Sequence, residues 1–380
     1  MLKNQSIICF ANDFKGDPTS KQQVMRILSE NNKILWVNSI VMRKPTVKAS
    51  DMSRIWIKLL GFFRGLDKIN ENLFVFTPLI LPLPSSAFAQ TINMLLLKFY
   101  LKFLCWKLGM IKPQLWTFLP NMVGLIGKLK VEKVIYYCVD EWSEFSFLDK
   151  ETIVKLEKEL LLKADFVITT SNKLLDSKIK HNKNTFLIPH GVDFDFFSTA
   201  LDSTVHVPED ILALPLPRIG FFGLIHEWVD CELIRYIAEA HPAWSIVMIG
   251  KVAAGKNASI LRHLQNVYFL GQKDYASLPG YCKGLDVGLI PFVVSELTLN
   301  VNPIKLREYL AAGLPVVSTP LPEIISYKGV VHIANTYEEF SIAIEKAIKE
   351  KGSHWIAQRH SAVCHETWRA RVEEISSLLV

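Results

Sequence analysis

The sequence predicts an α/β protein of two doubly wound units, each a parallel sheet flanked by helices. Three observations carry that prediction. Short β-branched apolar runs alternate with amphipathic or polar segments from one end of the chain to the other. The runs are apolar on both faces, as strands buried in a parallel sheet must be. A polar, proline-bearing stretch interrupts the alternation at mid-chain, and 380 residues suffice for two domains of ordinary size.

In the first half, strands are expected at 7–11, 34–38, 73–77, 134–139 and 166–170. The second half repeats the pattern at 218–223, 245–249, 267–270, 287–291, 316–319 and 330–333. The junction is placed near PHGVDFDFFS (189–198), with a softer stretch to Pro217 behind it. The expected domains are therefore 1–195 and 196–355. The terminal segment 356–380 ends in an apolar stripe of Val372, Ile375 and Leu379, and is expected to cross back to the first domain. A helix capping its own domain is the alternative. No low-complexity tract or fixed-period repeat is present.

Six scattered cysteines without a Cys-x-x-Cys pair read as buried thiols of a reducing compartment, not a zinc site or disulfide frame. MLKNQSIICFAND runs straight into a strand without an apolar leader, so a cytoplasmic location is expected. The formal charge of +6 conceals an asymmetry: residues 1–130 hold 18 Lys and Arg against 6 Asp and Glu, whereas the remaining 250 residues are net negative. Basic charge without a nucleic-acid-reading motif points to an anionic lipid surface or an anionic acceptor, and not to nucleic acid. Residues 51–66 (Arg54, Trp56, Lys58) and 94–108 (Lys98, Lys102) mix cations with aromatics in the manner of interfacial helices. Core helices with solvated lysines are the other reading. Prolines at 78, 82 and 84 break the uncharged stretch 72–97, so no bilayer-spanning helix is expected there.

The most informative stretch is NPIKLREYLAAGLPVVSTPLPEI, 302–324. It reads as loop, amphipathic helix, Gly-Leu-Pro stop and β-branched strand. Lys305 and Glu308 project from one side of the first helical turn, where free backbone N–H groups and the helix dipole favour an anion. A lysine there can neutralise phosphate, and a carboxylate one turn on can accept from ribose hydroxyls; an ordinary surface ion pair is the plain alternative. Lys251 and His226 follow predicted strands at the carboxyl edge, where ligands bind in open α/β sheets; a solvated lysine and a loop histidine are the plain alternatives. Gly223 and Gly16 would let a backbone approach closely.

Together the 305–313 helix before a Pro-Val-Val strand, ADFVITTS (164–171) and the PHGVD linker (189–193) resemble the GT-B glycosyltransferases. Within them the likeness is to the group 1 (family 4) enzymes of bacterial surface polysaccharide synthesis. YYCVDEWSEF (136–145) and FFGLIHEWVDCELI (221–234) suggest the teichuronic-acid and exopolysaccharide branch. The resemblance implies two Rossmann-like domains facing a central cleft. It further implies a nucleotide-sugar donor, UDP- or GDP-linked, and transfer to a lipid-linked or glycan acceptor at the inner face of the membrane. Gly271 and Gln272 would hold the donor base, Asn302 would line the donor site, and Glu308 would take the ribose. Asp140, at the end of the 134–139 strand, would be the general base, with Asp13 second. An N-cap for a helix near Trp142 is the alternative for Asp140.

The chain departs from the family where many members carry two glutamates separated by seven residues. Glu308 matches the second, but Asn300 stands at the first. Gly223 is followed by Leu-Ile-His-Glu-Trp where Arg and Lys are usual. Retention and inversion at the anomeric carbon both stay open. No DxD-like cluster is present, so no metal or cofactor is expected and the positive charge has to come from protein, with Lys305 the first candidate and Lys251 and His226 the next. Two rival functions share the architecture: a UDP-sugar 2-epimerase and a catalytically silent scaffold subunit.

Overall fold

The computed structural model describes residues 1–16, 18–38, 65–79, 81, 86–253 and 257–379. Arg54, Trp56 and Lys58 lie outside the described residues.

Eight strands of the first half form one sheet among the described residues: β1 (Ser6–Phe10), β2 (Lys33–Val37), β3 (Leu66–Lys68), β4 (Leu73–Phe76), β5 (Gln114–Thr117), β6 (Val134–Cys138), β7 (Phe166–Thr169) and β8 (Thr185–Leu187). Their order is β3-β4-β2-β1-β5-β6-β7-β8, parallel except for the β3–β4 pair. The second sheet runs β11-β10-β9-β12-β13-β14, all parallel. It comprises β9 (Arg218–Phe222), β10 (Ser245–Ile249), β11 (Val267–Gly271), β12 (Val287–Ile290), β13 (Val316–Ser318) and β14 (Val331–Ile333). In each sheet the chain winds outward from one central strand and then reverses, which sets a switch point at β1/β5 and another at β9/β12. Three short strands escape the sequence reading. β5 sits between Pro113 and Pro120, and β3 and β8 span three residues each, too short to show a period.

The helices that matter below are α1 (Ser20–Leu28), α2 (Ala87–Leu108), α3 (Lys150–Lys163), α4 (Asn172–Lys178), α5 (Ile304–Ala311), α6 (Ser353–Val363) and α7 (Trp368–Leu379). Local chemistry fixes several of their ends. Ser86 Oγ accepts from Ala89 N at the start of α2, and Gly109 at φ 64° closes it, with Met110 N bonded to Cys105 O. Asp149 caps α3 through Thr152 N, and Ser171 caps α4 through Leu174 N.

The chain divides into two compact units, 1–189 with 372–380 and 190–371. The linker thus joins the second unit earlier than the sequence places it, and α6 with the first turn of α7 stays in that unit too. Hydrogen bonds explain why. Val192 N donates to Glu366 O at 2.9 Å, and Trp368 N donates to Val192 O at 3.2 Å. Gly191 makes this approach possible, since a methyl group there would sit 2.6 Å from Trp368 N. Arg359 of α6 donates to Gly313 O at 3.0 Å, tying α6 to the end of α5.

Beneath β6 the first unit buries an ionic cluster. Lys178 Nζ donates to Glu141 Oε2 at 2.7 Å and to Glu157 Oε2 at 2.8 Å. Tyr136 OH donates to the other Glu157 oxygen at 2.6 Å, and Ser143 Oγ to Glu141 at 2.9 Å. Only 4% of the Lys178 side chain and 6% of the Glu157 side chain are exposed. Two carboxylates so deeply placed require the single ammonium between them. Replacing Lys178 by Met should therefore cost about 3–5 kcal/mol in urea unfolding, the scale for breaking a buried ion pair by removing one partner. Adding Glu157→Gln should restore part of that loss; a Lys178→Met protein as stable as the parent would refute this account.

Candidate functional site

The candidate residues fall into two groups, one in each unit. In the second unit the carboxyl ends of β9, β10 and β11 are stitched together by backbone. Gly223 N donates to Ile249 O at 2.8 Å, Gly250 N to Gly271 O at 2.8 Å, and Ile225 N to Lys251 O at 3.0 Å. The three glycines hold φ of 148°, 144° and 72°, conformations that side-chain-bearing residues rarely adopt. A methyl group at Gly250 would lie 1.8 Å from the Gly223 carbonyl oxygen, so the two loops touch without space between them.

Lys305 comes from the first turn of α5 in the β12–β13 crossover, beside the β9/β12 switch point. Its Nζ lies 2.9 Å from Glu308 Oε2 and 4.7 Å from the centre of the Phe222 ring. Its Cε lies 3.5 Å from the place a methyl group would take on Gly223. Phe222 is held in turn, because its N–H donates to Tyr309 OH at 3.0 Å and its ring meets the Tyr309 ring edge-on at 4.7 Å. The ammonium is thus fixed from beneath by a ring, from the side by a carboxylate, and is bordered by a glycine. Lys305 keeps 26% of its side chain exposed while Glu308 keeps 6%, so the cation reaches solvent past a largely covered partner. Pro303 precedes α5 and provides no side-chain cap for its N-terminal amides.

The structure brings Gly223, Lys305 and Glu308 together. It sets Lys251, Gly271 and Gln272 on the exposed rim of the same strand ends. His226 stacks on Trp228 with ring centres 4.5 Å apart, and its Nδ1 lies 3.9 Å from Glu227. Asn302 is buried and engaged by the fold: its Oδ1 accepts from Arg307 at 2.7 Å, and its Nδ2 donates to Glu323 at 3.2 Å. Arg307 also binds Glu366 at 2.7 Å, which anchors the buried face of α5. Asn300 is buried too, its amide donating to Glu296 O at 2.7 Å.

In the first unit Asp140 and Glu141 follow β6 side by side but have different surroundings. Glu141 belongs to the Lys178 cluster. Asp140 does not cap the turn at Trp142–Glu144, because that three-residue 3-10 turn begins after Glu141. The Asp140 carboxyl is half-buried and faces Lys21, whose side chain is almost wholly covered in the first turn of α1. Lys21 Nζ lies 3.3 Å from Asn12 Oδ1 and 5.5 Å from the centre of the Trp142 ring. Burial raises the Asp140 pKa above the ordinary aspartate value, and the Lys21 charge draws it back. Burial lowers the Lys21 pKa, opposed by Asp140. The Trp142 indole N–H, also buried, has no acceptor among the described residues. Gly16 lies in an exposed turn, its N–H donating to Asp13 O at 3.1 Å, and Asp13 is exposed.

Lys98 and Lys102 lie on α2, Lys102 exposed and Lys98 half-buried. Among the described residues no three His, Cys, Asp or Glu side chains gather as metal ligands. Sequence reasoning missed Lys21 and Phe222. The signal for Lys21 was present, since it occupies the first turn of the first helix as Lys305 occupies the first turn of α5. Phe222 read only as strand.

Comparison with known proteins agrees with this architecture. Residues 217–350 match the family Glycosyl transferases group 1. The putative teichuronic acid biosynthesis glycosyltransferase TuaH of Bacillus subtilis (strain 168) is 29% identical over 225 residues, which is 55% of this chain and 55% of that protein. The match therefore spans about half the length of that relative. Among solved structures, sucrose-phosphate synthase from Thermosynechococcus elongatus superposes with a TM-score of 0.71 at 15% identity, covering 99% of this chain and 98% of that one. Anabaena HepE in complex with UDP-glucose superposes with a TM-score of 0.66 at 12% identity, covering 99% of both chains. The fold is that of the GT-B glycosyltransferases.

The contact between Lys21 and Asp140 sets a measurable expectation. Substituting Lys21 by Met removes the positive charge that draws the Asp140 pKa down, so its carboxyl should take up its proton at higher pH than in the parent. Carbon-13 titration of aspartate-labelled protein reads this directly, and an unchanged or lower midpoint would show that the two groups do not interact.

Proposed function

We propose that this protein is a glycosyltransferase that moves a sugar from a nucleotide-sugar donor to a membrane-associated, lipid-linked acceptor in bacterial cell-surface polysaccharide assembly. The observation that carries the reading is the fixed ammonium of Lys305 beside Glu308, at a glycine-lined strand edge in the segment that matches the group 1 family. HepE holds UDP-glucose on the same fold, which favours a UDP-linked donor over a GDP-linked one. TuaH acts in teichuronic acid biosynthesis by its name, which favours a cell-envelope acceptor. The basic first 130 residues favour work at an anionic membrane face, with the protein peripheral on its inner side. No described helix is long and apolar enough to cross a bilayer.

The residues have separable roles in this proposal. A diphosphate takes the Lys305 ammonium from Glu308, and the free N–H groups at the start of α5 add hydrogen bonds to it. Glu308, released, accepts from the ribose hydroxyls. Gly223 leaves room for the phosphates at the backbone. The negative charge that grows on the leaving diphosphate as the glycosidic bond breaks is met by a cation already oriented, which is the efficient form of electrostatic catalysis. Asp140 takes the proton of the acceptor hydroxyl as its oxygen bonds to the anomeric carbon. A carboxylate whose pKa burial has raised is the better base for that step. Lys251, Gly271 and Gln272 would line the nucleotide end of the donor, and His226 its sugar end. No metal is invoked, because Lys305 supplies the charge.

A thermal-shift screen against a nucleotide-sugar panel tests donor binding, since a ligand of the native state raises its melting temperature. Transfer to a lipid-linked acceptor then separates a transferase from an epimerase, which would convert the donor alone, and from a scaffold, which would do neither. Lys305→Ala should lower kcat/KM by about 2–4 kcal/mol equivalent while the protein stays folded. Folded Lys305→Ala with near-parental turnover would remove the central claim. Asp140→Asn should abolish transfer yet leave the melting shift with nucleoside diphosphate intact. Surviving transfer would mean that another group is the base.

A further inference from the structure

The helix α2 has two apolar faces, and among the described residues one is packed into the core while the other is exposed. Leu97, Leu101 and Leu104 are buried against the first-unit core. On the other side Phe88, Ile92, Leu95, Phe99, Phe103 and Trp106 fall within about 40° of one line along the helix, at 3.6 residues per turn. Five of these six are exposed, with 68% of Phe99 and 78% of Trp106 in solvent. Two of these rings already meet, Phe103 and Trp106, at 6.0 Å between centres. A largely aromatic row about 27 Å long from Phe88 to Trp106, at 1.5 Å per residue, is far beyond the scattered apolar residues of an ordinary surface.

The charges on the same helix identify what covers the row. α2 contains Lys98, Lys102 and Lys107 and no Asp or Glu. The lysines flank the apolar line on both sides, at about 60–100° from its centre by the same helical geometry. Their stems can run along the apolar surface while the ammonium groups rise to the level of lipid headgroups. A second copy of the chain is a poor occupant. A two-fold contact through this face would set like lysines near one another with no carboxylate of the helix to pair them. An anionic lipid surface supplies both the apolar medium and the opposite charge.

We infer that α2 is the membrane-docking element: it lies flat in the headgroup region of an anionic leaflet, with its aromatic row inserted and its three lysines on the phosphates. This deepens the proposed function, since it assigns the membrane contact to one described helix, but it does not need that function to be right. Its buried face and its two capped ends belong to the fold, so docking requires no unfolding of the helix. The arrangement is that of an interfacial helix, whose apolar side enters about 5–10 Å into the headgroup and acyl boundary.

The test is flotation of the full-length chain with vesicles of phosphatidylcholine alone or mixed with phosphatidylglycerol, at low and high salt. The parent should float with the mixed vesicles. Phe99→Ser with Trp106→Ser, both at exposed positions, should weaken binding at least tenfold at either salt concentration. Changing Lys98, Lys102 and Lys107 to Gln should weaken it by about fivefold per residue at low salt and remove most of the salt dependence of α2. Trp106 is also a direct reporter: its emission should move to the blue with vesicles, and the move should vanish in Trp106→Phe. Unchanged flotation in both variant sets would overturn the inference, as would a concentration-dependent dimer, abolished by Phe99→Ser, in a chain that ignores every vesicle. The nucleotide-induced melting shift serves as the control. A chain that floats but neither binds nor transfers a sugar refutes the proposed function and leaves docking standing; one that transfers sugar yet never floats does the reverse.

Discussion

The contact on which the candidate donor site depends is the one between Gly223 and Gly250. Parallel strands bring their carboxyl ends to one edge, and the chain must turn there without filling the space a ligand needs. At this edge the Gly250 backbone lies so close to the Gly223 carbonyl that no side chain fits between them. That closeness leaves Lys305 bordered on the Gly223 side by backbone, not by a side chain. The lysine has its height set by the Phe222 ring and its direction by Glu308. Phe222 is positioned in turn by Tyr309, four residues after Lys305 on α5. Strand, glycine loop and helix therefore fix a single ammonium from three sides.

The first unit shows two ways of keeping charge inside a protein. Around Lys178 the charges are closed on themselves, with each carboxylate oxygen that is buried meeting an ammonium, a hydroxyl or both. Such a cluster has no capacity left for a ligand. Around Lys21 the arrangement is incomplete. The lysine has an amide and a ring as neighbours, the adjacent carboxyl has no hydrogen-bond partner among the described residues, and an indole N–H stands unused. A buried polar group left without a partner costs stability, so the Trp142 indole N–H beside this strand end keeps a hydrogen bond to give, which the Lys178 cluster does not. Adjacent in sequence, Asp140 and Glu141 thus differ in kind: one is open and one is part of the core.

Helix α2 illustrates how a weak amphipathic signal can conceal a strong one. Its apolar residues spread around the helix because two different media take them, the core on one side and the solvent-facing row on the other. The lysines lie along the edges of that row. A soluble helix of this length would replace the outer aromatics with polar residues at no cost to the core. That the row is retained, in the most basic part of the chain, links the charge asymmetry of the sequence to one particular face.

The alternation of apolar runs and helices determined by itself the α/β class, the two sheets and most of their strands, because a strand buried on both faces must be apolar throughout and leaves a plain trace. The start of α5 was legible for a similar reason: Pro303, Lys305 and Glu308 are local to one turn, and helix geometry alone places the two charged groups together. What sequence could not supply was anything that rests on contacts between distant segments. Gly191 reads as part of a linker, and only its approach to Trp368 shows why the second unit begins there. Asn302 reads as a polar loop residue facing a ligand, yet Arg307 and Glu323 engage it inside the fold. Lys21 was passed over in the sequence, and its burial shows only in the fold, where Trp142, more than a hundred residues later, lies beside its ammonium. Periodicity and capping are written along the chain; which charges meet, and which are left open, is decided by the packing of elements that the chain brings together from far apart.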